Sequence, residues 1–151
     1  MLIDKDGFGA RVARLVAETA DQAANHQRND AWLLSQCLTH LLVGVGRHAR
    51  GERISGRRFV KEFALGDLLQ LLARHVPPGL GSHLDSLDAY RRFELGYPVL
   101  AEKVNAAMEA PTPRAAIALL DLLEAELSGV LDAAHKTAIA VVRARINEVL
   151  D

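Results

Sequence analysis

Between Asp30 and Arg50, the side chains of Leu34, Leu38, Leu41, Leu42 and Val45 fall at i, i+4, i+7, i+8 and i+11. That spacing lines one side of an α-helix with apolar groups. Such a helix is stable only when another surface covers its stripe, and the rest of the chain offers helices of the same kind. Leu65, Leu68, Leu69, Leu72 and Val76 make a second stripe, in a segment that Ser55 can cap and Pro77-Pro78 stops. Thr112 as cap and Pro113 as first helical residue open a third, in which Ala116, Leu120, Leu123, Leu127, Val130 and Ala134 keep the 3.6-residue period. Ser128-Gly129 is a break point, after which Lys136 to Leu150 resumes the pattern with Ala138, Val142, Ile146 and Leu150.

Shorter helices are expected from Ser86 to Gly96 and, opened by Pro98, from there to Glu109, with residues 77–85 as a loop. Phe8 to Ala24 reads as a further amphipathic helix, preceded by an apolar pair, Leu2-Ile3, that runs into the turn chemistry of Asp4-Lys5-Asp6-Gly7. Asn29 can cap the helix at Asp30 and Gly51 can end it. Gly44 and Gly46 inside it cost about 1 kcal/mol each relative to Ala, so they mark either a closely passing neighbour or a fraying end. Aromatic residues are 5% of the chain, while Leu and Ala dominate, a composition that favours helices over a β-sandwich or barrel. A length of 151 residues suits one core. The expected fold is all-α: a single domain over residues 1–151, built as a bundle of five to six helices, with no internal repeat or linker.

Eighteen basic residues against nineteen acidic ones are too evenly balanced for a protein that coats nucleic acid. The charged N-terminus lacks the apolar stretch of a signal peptide, and no run of about 18 apolar residues spans a bilayer. Cys37, the single cysteine, lies within an apolar helical pattern and reads as a buried reduced thiol. The expectation is a soluble, cytoplasmic protein that binds no membrane.

Few strings carry chemistry. Gly81-Ser82 with Asp85 and Asp88 evokes a nucleotidyltransferase metal site, but such a site needs its carboxylates at alternate positions of a strand, and these are three apart where a helix begins. Helix capping is the better account. Six histidines show no zinc spacing. Cys37 and His40, three residues apart, could pair as a thiolate nucleophile, but burial opposes it; His40 reads as a hydrogen-bonded boundary residue. No phosphate-loop, dinucleotide or nucleophile-elbow fingerprint is present, nor the Arg–His spacing of helical HEPN ribonucleases. No catalytic residue, metal or cofactor is expected. The one charged cluster is Arg47, Arg50, Arg53, Arg57, Arg58 and Lys61 against Glu52 and Glu62, at a helix junction where a phosphate or an acidic surface could dock near helix N-terminal amides. Its plain alternative is a solvated turn. Phe59 and Phe63, at i and i+4, read as core rather than base-stacking residues.

Arg50-Gly51-Glu52-Arg53, Arg58-Phe59-Val60, Leu68-Leu69, Asp88-Ala89-Tyr90-Arg91-Arg92-Phe93-Glu94, Tyr97-Pro98 and the stretch from Ala116 to Glu126 occur in this order. The order resembles the C-terminal helical domain of bacterial nucleotidyltransferases of the DNA polymerase β superfamily, the group that includes aminoglycoside and lincosamide nucleotidyltransferases. The resemblance covers roughly residues 1–127, and it makes residues 1–7 look like the final strand and turn leaving a catalytic domain. It implies a helical domain that shapes an acceptor pocket, often dimerises, and in some members lends a carboxylate as base. Glu62 and Glu94 are the carboxylates nearest the matching strings, with a surface salt bridge as the ordinary role of each.

The catalytic Gly-Ser and paired carboxylates of that family belong to an N-terminal domain not found in this sequence. The expected function is therefore a non-catalytic substrate-binding or dimerisation domain or subunit, using Arg47, Arg50, Arg53, Arg57, Arg58, Lys61, Glu62, Arg91, Arg92 and Glu94 toward a substrate or partner. It would transfer nucleotides only when joined to a catalytic domain. The alternative is a free-standing interaction protein that homodimerises without such a partner.

Overall fold

Asn29 holds extended backbone, and its side-chain oxygen accepts the Trp32 amide at 2.7 Å, satisfying one of the donors that a helix start leaves open. From this cap the chain enters α1 (Asp30–Ala49), the helix expected from Asp30 to Arg50. The computed structural model describes residue 14 and residues 29–79 and 88–150. After α1 come α2 (Arg53–Arg58), a π-helical segment (Phe59–Ala64), α3 (Leu65–His75), α4 (Phe93–Gly96), α5 (Pro98–Glu109), α6 (Thr112–Glu126) and α7 (Ala133–Leu150). Among the described residues there is no strand, and the all-α class holds. The expected strand end at residues 1–7, the helix over Phe8–Ala24 apart from residue 14, and the Gly81-to-Asp85 string lie outside the described residues.

α1 lies at the centre, touching α2, the π segment, α3, α6 and α7, while α5 packs on α6. Its buried face carries Leu33, Leu34, Cys37, Leu38, Leu41, Gly44 and Val45. The arc is centred nearer Cys37 and Leu41 than Leu38, so Leu42, expected in the stripe, sits at its edge and is exposed. Leu65, Leu68, Leu69, Leu71 and Leu72 of α3 and Ala115, Ala116, Leu119, Leu120 and Leu123 of α6 complete the same core, with Ile139, Val142 and Ile146 of α7.

Gly44 explains one expected feature. A Cβ there would stand 2.6 Å from Val60 Cγ2, and one on Gly56 would stand 2.7 Å from the Gly44 carbonyl oxygen, so the two glycines let α1 and α2 cross backbone to backbone. Gly46 meets no such neighbour. Gly51, at φ 86°, makes the turn between the helices.

Pro77 ends the next run as expected: Val76 is pushed to extended backbone, and α3 stops at His75. The helix expected from Ser86 to Gly96 is shorter. Residues 89–92 form a turn, Arg92 takes a left-handed conformation at φ 63°, and among the described residues of that span only Phe93–Gly96 is helical. Two expected caps fail for local reasons. Ser55 lies inside α2, where its hydroxyl accepts from Arg47, and Glu52 occupies the cap position. Thr112 is already helical, because Pro111 supplies the preceding extended residue. α6 ends at Glu126, just before the expected break, and α7 starts three residues earlier than expected, with Asp132 accepting the His135 amide at 2.8 Å.

Candidate functional site

α1, the π segment and α3 leave an open groove of about 490 Å³ between them. Trp32, Gln36 and His40 line it from α1, Glu62 and Phe63 from the π segment, and Gly66, Asp67 and Gln70 from α3. The π segment interrupts the regular ladder of what is otherwise one run of helix from Arg53 to His75, and wide turns of this kind recur at functional sites.

His40 is the chemical centre of the groove. Its Nδ1 lies 2.8 Å from Asp67 Oδ2, and its ring packs against Phe59 and Phe63 with centroids 5.7 and 5.5 Å away. Asp67 is buried in the leucine-rich α3, and the imidazole is a hydrogen-bond donor to it, as a buried carboxylate requires. Below it, the Cys37 thiol is fully buried and donates to the Ala64 carbonyl at 3.4 Å. Burial, and then the Asp67 charge, push that thiol far up in pKa, which removes the Cys37/His40 thiolate as a nucleophile. Tyr90 closes one end: its hydroxyl donates to the Glu62 carbonyl, its ring lies against Gly66, and burial pushes its phenol up to about 12.

The expected arginine corner borders this groove and is partly neutralised by its own carboxylates. Arg50 pairs with Glu52 at 3.0 Å, while Arg47 lies 4.0 Å from the same carboxylate and stacks on Phe59 at 4.5 Å. Arg58 pairs with Glu62 at 3.1 Å and covers Phe63 at 4.8 Å. Arg53 and Arg57 stand exposed on α2. Lys61 serves another purpose. It is buried, its ammonium donates to the carbonyls of Met108 and Ala110 at the end of α5, and burial lowers its pKa. It closes a helix end, and its ammonium is not an exposed charge of the corner. Arg91, Arg92 and Glu94 are exposed on the turn and α4, which Tyr90 anchors to the π segment.

Of the lining residues, sequence reasoning placed Glu62 toward a ligand, read His40 as a boundary residue and Phe63 as core, and missed Asp67, Trp32, Gln36 and Gln70. The readable signal was Asp67 itself, a carboxylate inside Leu65-Gly66-Asp67-Leu68-Leu69. Among the described residues no three His, Cys, Asp or Glu side chains are grouped to hold a metal ion, and no helix is long and apolar enough to cross a membrane. Comparison with protein-family models, with curated proteins and with solved structures returned no match for this chain.

Proposed function

We propose that the chain is a ligand-binding helical domain or subunit of a nucleotidyltransferase, supplying the acceptor site to a catalytic domain that supplies the metals. The groove carries this reading. It is a concave site with aromatic side chains and convergent polar groups, the usual make-up of a small-molecule site, and its lining residues Glu62, Phe63, Gly66 and Asp67 lie between the Arg58-Phe59-Val60 and Leu68-Leu69 strings that carry part of the resemblance. Glu62 at its rim is one of the two carboxylates the resemblance singled out.

The arginine rim formed by Arg47, Arg50, Arg53, Arg57 and Arg58 suits the acidic edge of such a catalytic domain or the phosphates it handles. The test is reconstitution. The chain alone, with magnesium and ATP, should release no pyrophosphate, since among its described residues no three His, Cys, Asp or Glu side chains are grouped to hold the metals. Combined with a catalytic domain bearing Gly-Ser and Asp-x-Asp, it should bind that domain and make the release depend on an added acceptor. Failure to bind any such domain would leave the groove in place and remove this assignment.

Homodimerisation is a second reading, favoured by Leu95 and Val99, which stand 51% and 67% exposed on α4 and α5. A monomer mass by light scattering at high concentration would set it aside.

A further inference from the structure

We propose that His40, positioned by Asp67, is the proton acceptor for a hydroxyl group of a sugar-like ligand in the groove; this rests on reading the groove as a ligand site. The inference starts from the imidazole's two nitrogens. Because Nδ1 faces the Asp67 carboxylate at 2.8 Å, a neutral ring carries its proton there, and Nε2 keeps its lone pair. Nε2 has no protein partner among the described residues and is not sealed from solvent, on a ring that lines the groove. A hydroxyl placed against it donates a hydrogen bond. If the hydroxyl is deprotonated, the proton goes to Nε2, and the imidazolium so formed is paired with the Asp67 carboxylate.

The ligand class follows from the walls. Trp32 and Phe63, the latter with Arg58 stacked over it, line the groove with aromatic rings suited to the C–H groups of a saturated ring, and Gln36, Gln70 and Glu62 bring amide and carboxylate groups for its hydroxyls. Among the described residues that line the groove there is no Lys or Arg. The rim arginines Arg47 and Arg58 are stacked over Phe59 and Phe63.

Protonation of His40 removes the lone pair, so the imidazolium form binds the hydroxyl more weakly. Among the described residues, the charged or titratable groups on the elements packed around it include Asp67 on α3, Glu62 on the π segment, Tyr90 from the turn before α4, the rim arginine Arg58, and Cys37 and Arg47 on α1. None of them donates a proton to Nε2 in this structure.

The test uses the full chain, with histidine side-chain nitrogens followed by NMR while glucose or glucosamine is added over a range of pH. The expected result is an Nδ1-protonated His40 whose Nε2 resonance moves with the sugar, together with the Trp32 indole, and at least tenfold weaker binding once His40 is protonated. Asp67→Asn should lose that pH profile. Phe63→Ala should weaken binding and keep the profile, which separates positioning of the imidazole from general damage to the groove. Should Asp67→Asn fail to fold, the wild-type titration still decides. Sugar binding that moves Trp32 and leaves Nε2 still, or a ring protonated at Nε2, would overturn the role of His40 and keep the groove as a ligand site. No response at any lining residue would overturn the ligand class and the proposal with it.

Discussion

Adding one methyl group at Gly56 and one at Gly46 should move the stability of this protein in opposite directions. A Cβ on Gly56 would sit 2.7 Å from the Gly44 carbonyl oxygen and 2.9 Å from the His48 amide nitrogen, both backbone atoms of α1 that no rotamer change can move. The helices must separate by several tenths of an ångström, at a cost of about 1–3 kcal/mol for overpacking. Relief from glycine's helix penalty returns up to ~1 kcal/mol. Gly56→Ala is thus expected to destabilise by about 1–2 kcal/mol. At roughly 2–4 °C per kcal/mol for a domain of this size, that lowers the melting temperature by about 2–8 °C. A Cβ on Gly46 meets only Arg50 Nη1 at 3.6 Å, an ordinary contact, so Gly46→Ala collects the helix gain alone, ~0.5–1 kcal/mol of added stability. Thermal melts of both variants by circular dichroism make the comparison. A Gly56→Ala protein melting at or above wild type would refute the close crossing, and equal losses in both variants would show that something other than the crossing distance governs them.

Asp30 ties the start of α1 to the end of α3 by accepting Arg74 at 2.8 Å and His75 at 2.7 Å. The Arg74 hydrogen bond, opposed by burial and assisted by His75, holds its carboxyl below the ordinary 3.8. A depressed carboxyl pKa stabilises fully above the unfolded value and ceases to do so as pH falls through the folded one. Asp30→Asn should therefore cost about 0.5–1 kcal/mol at neutral pH, a difference that urea melts should show shrinking below about pH 4. Tyr90, with its phenol pushed from 10.0 up to about 12 by burial, has the opposite sign. The folded state keeps a proton the unfolded chain loses, so stability declines between about pH 10 and 12, and Tyr90→Phe should flatten that decline in alkaline urea melts while costing ~0.5–1.5 kcal/mol at neutral pH. Replacing Arg57 and Arg58 together by Ala should weaken binding of an acidic partner or inorganic phosphate by about 1–3 kcal/mol and leave stability within about 1 kcal/mol of wild type. Calorimetric titration beside a thermal melt checks both, and unchanged affinity would return the corner to a solvated turn.

The helices were readable where a signal acts on its own neighbours. Asn29 caps three residues ahead, Pro77 forces Val76 out of helical geometry, Pro98 opens α5, and Gly51 takes the positive φ that ends the α1 region. Signals failed where a competitor stood nearby: Arg47 takes the Ser55 hydroxyl, and Pro111 displaces Thr112 from the cap. The arginine cluster was legible as charge but not as free charge, since Glu52 and Glu62 sit within reach of three of its members. Lys61 looks in sequence like one more surface cation, and only the tertiary fold brings it to carbonyls 47 and 49 residues away. His40 and Asp67 are separated by 27 residues, beyond what a helical period relates. Each carried half of the signal, a histidine at the edge of an apolar stripe and a carboxylate inside one.

An extra residue in an ordinary α-helix turns everything after it by about 100° and carries the downstream apolar stripe off the core. The wide turn at Phe59–Ala64 absorbs such a residue locally, because its i→i+5 bonding accommodates the added length within one turn. The leucines of α3 can then stay in register with the core while the wall that holds Glu62 and Phe63 changes length. A single-codon deletion at Glu62 or Phe63 would regularise the helix and remodel the groove wall. The shape of the groove in a protein built this way can change by gain or loss of one residue on its exposed wall, apart from the leucine packing of α3.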